Sequence, residues 1–371
     1  MNTAQRRATA ALWSIQGVGP VTLEEIPKKA GAPVGELLDR PIASWSGAVE
    51  WRGSAAERVS ALSTLAERAD WLEHRCRVSS TQIIFSGDPA WPDALDRLID
   101  APPLLFLQGP GAFAPRRRRL AIVGSRGAPP HLRDRIKAVA SEAAADGGLG
   151  IVSGAAEGVD EAVHRGALEV RGETWAFMGS ALDQIDSGRC DLARDIRDQG
   201  GSLFSEMPPG ARANMNSFKL RNRLIAGASD AVLVFLAKVT SGSLYTADAA
   251  FALGRTVLVT PFDGWSEAAL GGNQLLRNGK AQPHLDLSDL IAGVGLEGAR
   301  ESKPTSVPFN RELLSPHGRL IFDQVMNGPI DFEGLCAVLP ALSAAQLSAA
   351  LVELEVVGAV LHKGARRYEK R

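Results

Sequence analysis

The chain has 371 residues, 45% hydrophobic and 22% charged, and its formal net charge is −1. That length implies roughly two or three domains of ordinary globular composition. The charge balance excludes a uniformly basic nucleic-acid binder, so a nucleic-acid site would have to be a local patch.

Residues 1–75 read as helical. Ala8 to Ile15 is apolar and helix-prone, Gly17-Val18-Gly19-Pro20 breaks it, and Thr22-Leu23-Glu24-Glu25 restarts it. Helix, G-x-G turn and helix fit a helix-hairpin-helix, whose turn N–H groups can hold a DNA phosphate, or else a plain helical turn. Trp13, Trp45, Trp51 and Trp71 are expected to fill a small helical core. Residues 83–107 are transitional, with short strand candidates at Ile83–Phe85 and Leu104–Leu107 around the turn-rich Asp88-Pro89-Ala90-Trp91-Pro92.

Beyond residue 115 the texture changes. Strands at 120–123, 150–153, 174–178, 202–205, 231–237 and 255–260 alternate with helices near 131–146, 159–170, 189–199, 217–228 and 244–253. The strands are apolar on both faces, which predicts an α/β core with a parallel sheet covered on both sides. A ligand is expected at the carboxyl ends of the strands. Residues 297–310 are polar with two prolines and read as a linker. Helices at 317–326, 331–338 and 343–357 with a hairpin at 358–368 then make a winged-helix module, which binds DNA or another protein. The domain reading is therefore 1–75 helical, 76–296 core, 297–310 linker and 311–371 winged helix.

Three strand ends carry small-residue loops: Gly124-Ser125-Arg126, Ser153-Gly154 and Ser241-Gly242. Backbone N–H groups converge in such loops and a following helix favours negative charge, so each is a candidate anion site. One sheet would gather them into one cleft, although a generic mononucleotide pocket would look the same. Lys219, Arg221 and Arg223 add cations beside the last loop, and guanidinium forks suit phosphate. Phe218 among them can stack a base, or be an ordinary core residue. Asp160 and His164, at i and i+4, can meet on one helix, where a structural contact is favoured over an acid–base pair. Arg116–Arg119 could add phosphate contacts or be a solvated charge run.

Other chemistries lose support. There is no G-x-x-x-x-G-K-[ST] and no G-x-G-x-x-G opening the first strand–helix unit. No metal-ligand cluster is evident, so neither a metal nor a cofactor is expected. Cys76, Cys190 and Cys336 form no C-x-x-C pair. No run reaches the ~18 apolar residues of a membrane span and no leader is evident, so a cytoplasmic protein is expected.

At these residues the chain resembles the DNA-processing protein A family (DprA, also called Smf). Ile122-Val123-Gly124-Ser125-Arg126 matches its I-V-G-S-R. Val152 to Asp160 with His164 to Leu168 is similar to S-G-x-A-x-G-I-D-x-x-A-H-x-G-A-L. Asp88 to Gly109 resembles the segment before the sheet, and Phe204-Ser205-Glu206 the S-E strand end. Phe218 with Arg221 to Gly227 is similar to F-P-x-R-N-R-I-I-A-G, and Ser241 to Ala247 matches S-G-S-L-x-T-A. The resemblance implies a Rossmann-like core that binds single-stranded DNA, protects it and helps load a RecA-type recombinase in natural transformation. It also implies a homodimer through that core and no established catalytic role. Arg126, Phe218, Lys219, Arg221 and Arg223 are then the expected DNA-binding residues. Gly124, Ser125, Ser153, Gly154, Asn222, Ser241 and Gly242 would frame the pocket.

The chain departs from the pattern at four places. Glu157 stands where Arg or Lys is usual, Lys219 at a Pro, Leu236 at a Glu, and Asp186-Ser187 at Tyr-Pro. Two other readings stay open. A nucleotide-binding phosphoribohydrolase-like enzyme would need a Glu after the Ser/Gly loop, where Ala249 stands. A regulator acting through the winged helix would work by protein contact, because 343–357 carries Glu353 and Glu355 and no Lys or Arg.

Overall fold

The computed structural model describes residues 1–51, 55–111, 117–264, 266–296, 314–356, 359–363 and 367–370. The chain divides into two compact units, Met1–Arg300 and Glu301–Arg371. The expected linker at 297–310 lies outside the described residues.

The first unit opens with α1 (Thr3–Trp13), α2 (Pro20–Ala30), α3 (Ala55–Ser60) and α4 (Leu65–Val78). A capping box between Asn2 and Gln5 starts α1, and Pro20, which has no N–H to leave unpaired, starts α2. Next come β1 (Gln82–Ile84) and β2 (Leu105–Gln108), then the alternating core: β3 (Arg119–Val123), α5 (Pro130–Ala145), β4 (Gly150–Ser153) and α6 (Val159–Glu169). It continues with β5 (Thr174–Met178), α7 (Ser187–Asp198), β6 (Ser202–Ser205), α8 (Met215–Gly227), β7 (Ala231–Val234) and α9 (Ser243–Ala252). It closes with β8 (Thr256–Val259), α10 (Leu270–Arg277), β9 (Gln282–Pro283) and α11 (Leu287–Gly293).

Among the described residues these strands form a nine-stranded sheet in the order β1-β2-β6-β5-β4-β3-β7-β8-β9. From β6 to β9 the pairing is parallel, while β1, β2 and β6 pair antiparallel. The expectation of a parallel sheet is thus corrected at one edge. β1 and β2 have no crossover helix between them, and antiparallel neighbours need none. The chain winds outward from β3 to β6, then returns to lay β7 on the other side of β3. The carboxyl ends of β3 and β7 therefore flank the switch point, where open α/β sheets bind their ligands.

Strand alternation divides the core in two. Val123, Val152, Phe177, Phe204 and Val234 face α8 and α9, while Ile122, Ile151 and Leu233 face α5, α6 and α11. The helical start has its own small core around Leu12, Ile26, Leu37 and Trp45, with Trp51 packed against it. Trp13 and Trp71 depart from the expected helical core. Trp13 packs on the cluster that joins α1 and α4 to β1, β2 and β5, and Trp71 is exposed.

The second unit holds α12 (Pro316–Val325), β10 (Ile330–Asp331), α13 (Phe332–Val338), α14 (Ala344–Val356), β11 (Val360–Lys363) and β12 (Arg367–Lys370), with its strands in the order β10-β12-β11. Its core gathers Ile321, Val325, Leu335, Leu347, Leu351 and Leu354. Glu353 accepts the N–H and hydroxyl of Ser315 at 2.7 and 2.6 Å, which ties α14 to the start of α12. This carboxylate is a structural tie, and the exposed face of α14 is apolar at Val352.

His164 lies fully buried on α6 and does not pair with Asp160. Thr174 gives its hydroxyl proton to Ile151 O at 3.1 Å, so His164 Nδ1–H donates to Thr174 Oγ1 at 2.8 Å. Burial, reinforced by Arg221 and Arg165, pulls the imidazole down to about 3. The unfolded chain takes up a proton near the ordinary histidine value, and the native state refuses it until about pH 3. Stability should therefore fall as pH falls across that window, by up to about 1.4 kcal/mol per pH unit. Urea unfolding of the first unit, read by tryptophan fluorescence, should show a shallower pH slope in His164→Gln. An identical slope in the two proteins would mean that His164 is not the group responsible.

Candidate nucleic-acid interface

The three loops singled out in the sequence end β4, β3 and β7, which are neighbours in the sheet. Close packing sets their residues. A side chain at Gly124 would meet Val159 Cγ2 at 2.6 Å. Gly158, at φ +89°, would meet Ser125 O and Arg126 O at 2.5 Å. The loop after β3 thus rests directly on the N-terminus of α6, where Val159 N–H donates to Ser125 O at 3.2 Å. Ser153, fully buried, gives its hydroxyl to Ile122 O at 2.7 Å.

The Ser/Gly loop before α9 is also occupied from within. Ser243 N–H donates to Ser241 Oγ at 3.3 Å, and the N–H groups of Leu244 and Tyr245 donate to Ser241 O and Gly242 O at 3.2 Å. Asn222 Nδ2 reaches from α8 to Gly242 O at 2.9 Å. The N–H groups of Ser243, Leu244 and Tyr245, which this loop would offer to an anion, therefore already have partners.

Arg221 and Arg223 also differ from expectation, for they point inward. Arg221 is 5% exposed, donates through Nη1 to Gly154 O at 2.7 Å and to Phe177 O, and through Nε to Asn222 Oδ1 at 3.2 Å. Gly154 is bare because the guanidinium lies on it: a Cβ there would collide with Arg221 Nη1. Burial lowers the Arg221 pKa to about 10, with buried Asp160 acting against the shift, so the side chain is charged at neutral pH. Burial likewise raises Asp160, opposed by Arg221 and by the backbone N–H groups of Ala156, Gly124 and Gly154. Arg223 binds Glu206 through Nη1 and Nη2 at 2.6 and 2.8 Å and Asp100 through Nε at 2.6 Å. Burial works against its charge, but Glu206 and Asp100 outweigh it and the Arg223 pKa is raised.

The other cations face outward. Arg126 is exposed and its guanidinium carbon lies 5.3 Å from the centre of the Phe218 ring. Arg189, on the first turn of α7, lies 5.9 Å from the same ring and pairs with Asp186. The half-buried ring sits against Gly179 at the end of β5, where a side chain would meet Phe218 Cδ1 at 2.5 Å. Ser217, in a capping box with Asn214, fixes this start of α8 by donating to Gly179 O at 2.7 Å. Lys219 is exposed, with Nζ 5.4 Å from the Tyr245 ring centre. Glu157 is 74% exposed at its side chain and lies 3.9 Å from Arg133. Sequence reasoning missed Arg189 and Tyr245. Tyr245 stood inside a quoted motif, but nothing around Arg189 marked it.

Of the run Arg116–Arg119, the described Arg117, Arg118 and Arg119 are not part of this surface. Arg117 pairs with Glu173, and Arg118 and Arg119 with Asp230, at the opposite end of β3; Arg116 lies outside the described residues. Among the described residues no group of three or more His, Cys, Asp or Glu is placed to hold a metal ion, and no helix is long and apolar enough to cross a membrane.

Residues 82–295, which hold the whole sheet, match the family model of DNA recombination-mediator protein A. The chain belongs to this family. The protein Smf of Synechocystis sp. is 29% identical over 395 residues, covering 97% of each chain. The protein Smf of Escherichia coli strain K12 is 32% identical, covering 78% of this chain and 76% of that one. DNA processing protein A from Streptococcus pneumoniae has the same fold, with a TM-score of 0.57 at 24% identity, over 78% of this chain and 98% of that one. DNA processing protein A from Helicobacter pylori, solved for its unique single-stranded DNA binding mode, has a TM-score of 0.50 at 29% identity, over 58% of this chain and 96% of that one. The family's core is therefore this mostly parallel, Rossmann-like sheet with helices on both faces.

The Asp160–Arg221 pair generates a prediction. Arg221→Met should destabilise the first unit by about 1–3 kcal/mol, because it leaves the carbonyl oxygens of Gly154 and Phe177 without their buried donor and removes the positive charge that opposes the upward shift of Asp160. Asp160→Asn should also destabilise it, and the double variant should lose clearly less than the two losses added. Urea unfolding of the three variants measures this, and strict additivity would show that the two groups do not interact.

Proposed function

We propose that this chain holds single-stranded DNA on the outward surface made by Arg126, Phe218, Arg189 and Lys219, and passes it to a RecA-type recombinase. The carrying observation is the half-buried Phe218 ring at the carboxyl end of β5, with guanidinium groups at 5.3 and 5.9 Å. A base can stack there while cations hold the backbone, a mode that tolerates any sequence. The H. pylori relative, studied for its single-stranded DNA binding mode, supports the same reading. DNA processing in natural transformation is the proposed setting.

Arg221 and Arg223 act in this proposal as positioning residues. Gly124, Ser125, Ser153, Gly154, Asn222, Ser241 and Gly242 frame the surface. The chain works as a binding protein without a cofactor, because Ala249 leaves the phosphoribohydrolase-like reading without its carboxylate. We place a homodimer contact on the core. The second unit acts as a winged helix by protein contact, since α14 carries no Lys or Arg and Val352 is 57% exposed.

The full chain should retard single-stranded oligonucleotide more than duplex, without added nucleotide. Arg126→Ala with Lys219→Ala should flatten the dependence of log affinity on log salt by about 0.7 for each phosphate left without its cation. Phe218→Ala should cost about 1–3 kcal/mol of binding with no change of that slope. Glu157→Lys should tighten binding and steepen the slope. A gel-shift series over salt measures all of these, and a Phe218→Ala protein that binds like the parent would overturn the stacking site.

A further inference from the structure

We propose that a second binding site for the same DNA strand lies in the groove between the helical start of the chain and the loop that leads into α8. This rests on the reading above that the chain holds single-stranded DNA. The groove has a volume of about 1420 Å³. One wall is the Gly17-Val18-Gly19-Pro20 turn with Arg58, Arg68 and Trp71; the other runs from Pro208 to Ser217. The G-x-G turn is the motif that the Phe218 surface leaves unused.

Charge is the first argument. Five arginines line the groove, Arg58, Arg68, Arg212, Arg221 and Arg223, against two carboxylates, Asp100 and Glu206. Arg223 binds both carboxylates, and Arg221 is matched by Asp160. Arg68 and Arg212 make no ion pair among the described residues, so positive charge is concentrated in one groove of a chain whose net charge is −1. Such a groove draws in a polyanion.

Preorganisation is the second. Arg68 donates from Nε and Nη2 to Ser14 Oγ and Ser14 O at 2.7 and 2.8 Å, and its guanidinium carbon lies 3.9 Å from the centre of the Trp71 ring. Trp71 is nonetheless 39% exposed. A fixed guanidinium beside an exposed indole is a stacking platform for a base. Across the groove, Gly210 N–H donates to both oxygens of Asp183 at 2.8 and 3.1 Å, and Arg75 holds Asp183 in turn. The loop is thereby pinned, and among the described residues its exposed Arg212 makes no ion pair. A side chain at Gly19 would meet nothing within 4 Å, so a phosphate can approach that backbone closely.

Continuity is the third. The first turns of α8 contribute Asn214, Ser217 and Leu220 to the groove and Phe218 to the outward surface. A strand stacked on Phe218 that crosses the start of α8 enters the groove. The aromatic platform and open turn favour nucleic acid over an acidic peptide, which would need only the charge.

Fluorescence anisotropy on the full chain separates the sites by length, using oligothymidylates of about 6 and about 30 nucleotides. Arg58→Ala, Trp71→Ala and Arg212→Ala together should leave affinity for the short strand within about twofold, lower affinity for the long strand by about tenfold or more, and flatten its salt slope. Arg212→Gln alone, on an exposed side chain, should shift the long-strand affinity the same way by less. Phe218→Ala should weaken both lengths. Unchanged long-strand binding in the triple variant and in Arg212→Gln overturns the groove. An effect of the groove variants with none from Phe218→Ala overturns the outward surface and keeps the groove. Polyglutamate that displaces the long strand as well as unlabelled DNA does, with no effect of Trp71→Ala, assigns the groove to acidic protein and overturns the DNA proposal.

Discussion

Arg221 leaves α8, crosses the carboxyl ends of the strands, and ends on the backbone of β4 and β5. Its guanidinium holds Gly154 O and Phe177 O and faces the buried Asp160. Asp160 in turn gathers the N–H groups of Gly124, Gly154 and Ala156. Two buried, electrostatically coupled side chains thus tie the loops after β3 and β4 to α6 and α8. Burying ionisable groups is costly, and both are tolerable because hydrogen bonds surround each of them. The glycines follow from the same constraint, since Gly154 must clear the guanidinium and Gly124 must clear Val159. The geometry of the outward surface depends on this tie, because Phe218 and Arg126 hang from the elements that it joins.

A second tie explains why the helical start belongs to the first unit. Glu206 follows β6 and holds two partners. Its carboxylate takes the fork of Arg223, and its carbonyl takes Trp13 Nε1–H at 2.9 Å. The antiparallel edge strands β1 and β2 extend the sheet towards α1 and α4, and Ala10, Leu72 and Cys76 share a core with Phe85 and Phe106. The helical start therefore packs on the sheet and on the base of α8, and the groove opens beside that joint.

The alternating elements were legible in the sequence because apolar runs and Gly/Ser punctuation recur at regular intervals; the observed β5 has the bounds 174–178 read from it. The antiparallel edge was not legible, since pairing direction leaves no trace in a four-residue apolar strand. The cluster of strand ends was legible as a set of loops. The direction of each arginine was not, because Arg221, Asn222 and Arg223 are consecutive and residues one apart on a helix diverge. Sequence showed a cationic patch, and the structure splits it into two internal arginines and an outer pair, Lys219 and Arg126. The same limit hid Arg189, which reaches Phe218 from another helix. Trp71 looked like core because tryptophan usually is, and only the position of Arg68 above it shows another use.

Glu157 bears on how tightly the outward surface can hold its ligand. The carboxylate is 74% exposed and meets Arg133 only at 3.9 Å, so it contributes little to the fold. It nevertheless stands beside Gly158, whose packing fixes the backbone of Arg126. A negative charge there opposes the attraction that Arg126 exerts on phosphate, over a range of about 8 Å at physiological salt. Base stacking on Phe218, as proposed, is unaffected by that field, so aromatic contact would take a larger share of the binding than it would in an all-cationic surface. A strand held this way is weakly tethered by charge and easily exchanged. That suits the proposed hand-over to a recombinase, and it gives the adjoining cationic groove a use, since the charge missing at Glu157 can be supplied there without making the first contact permanent.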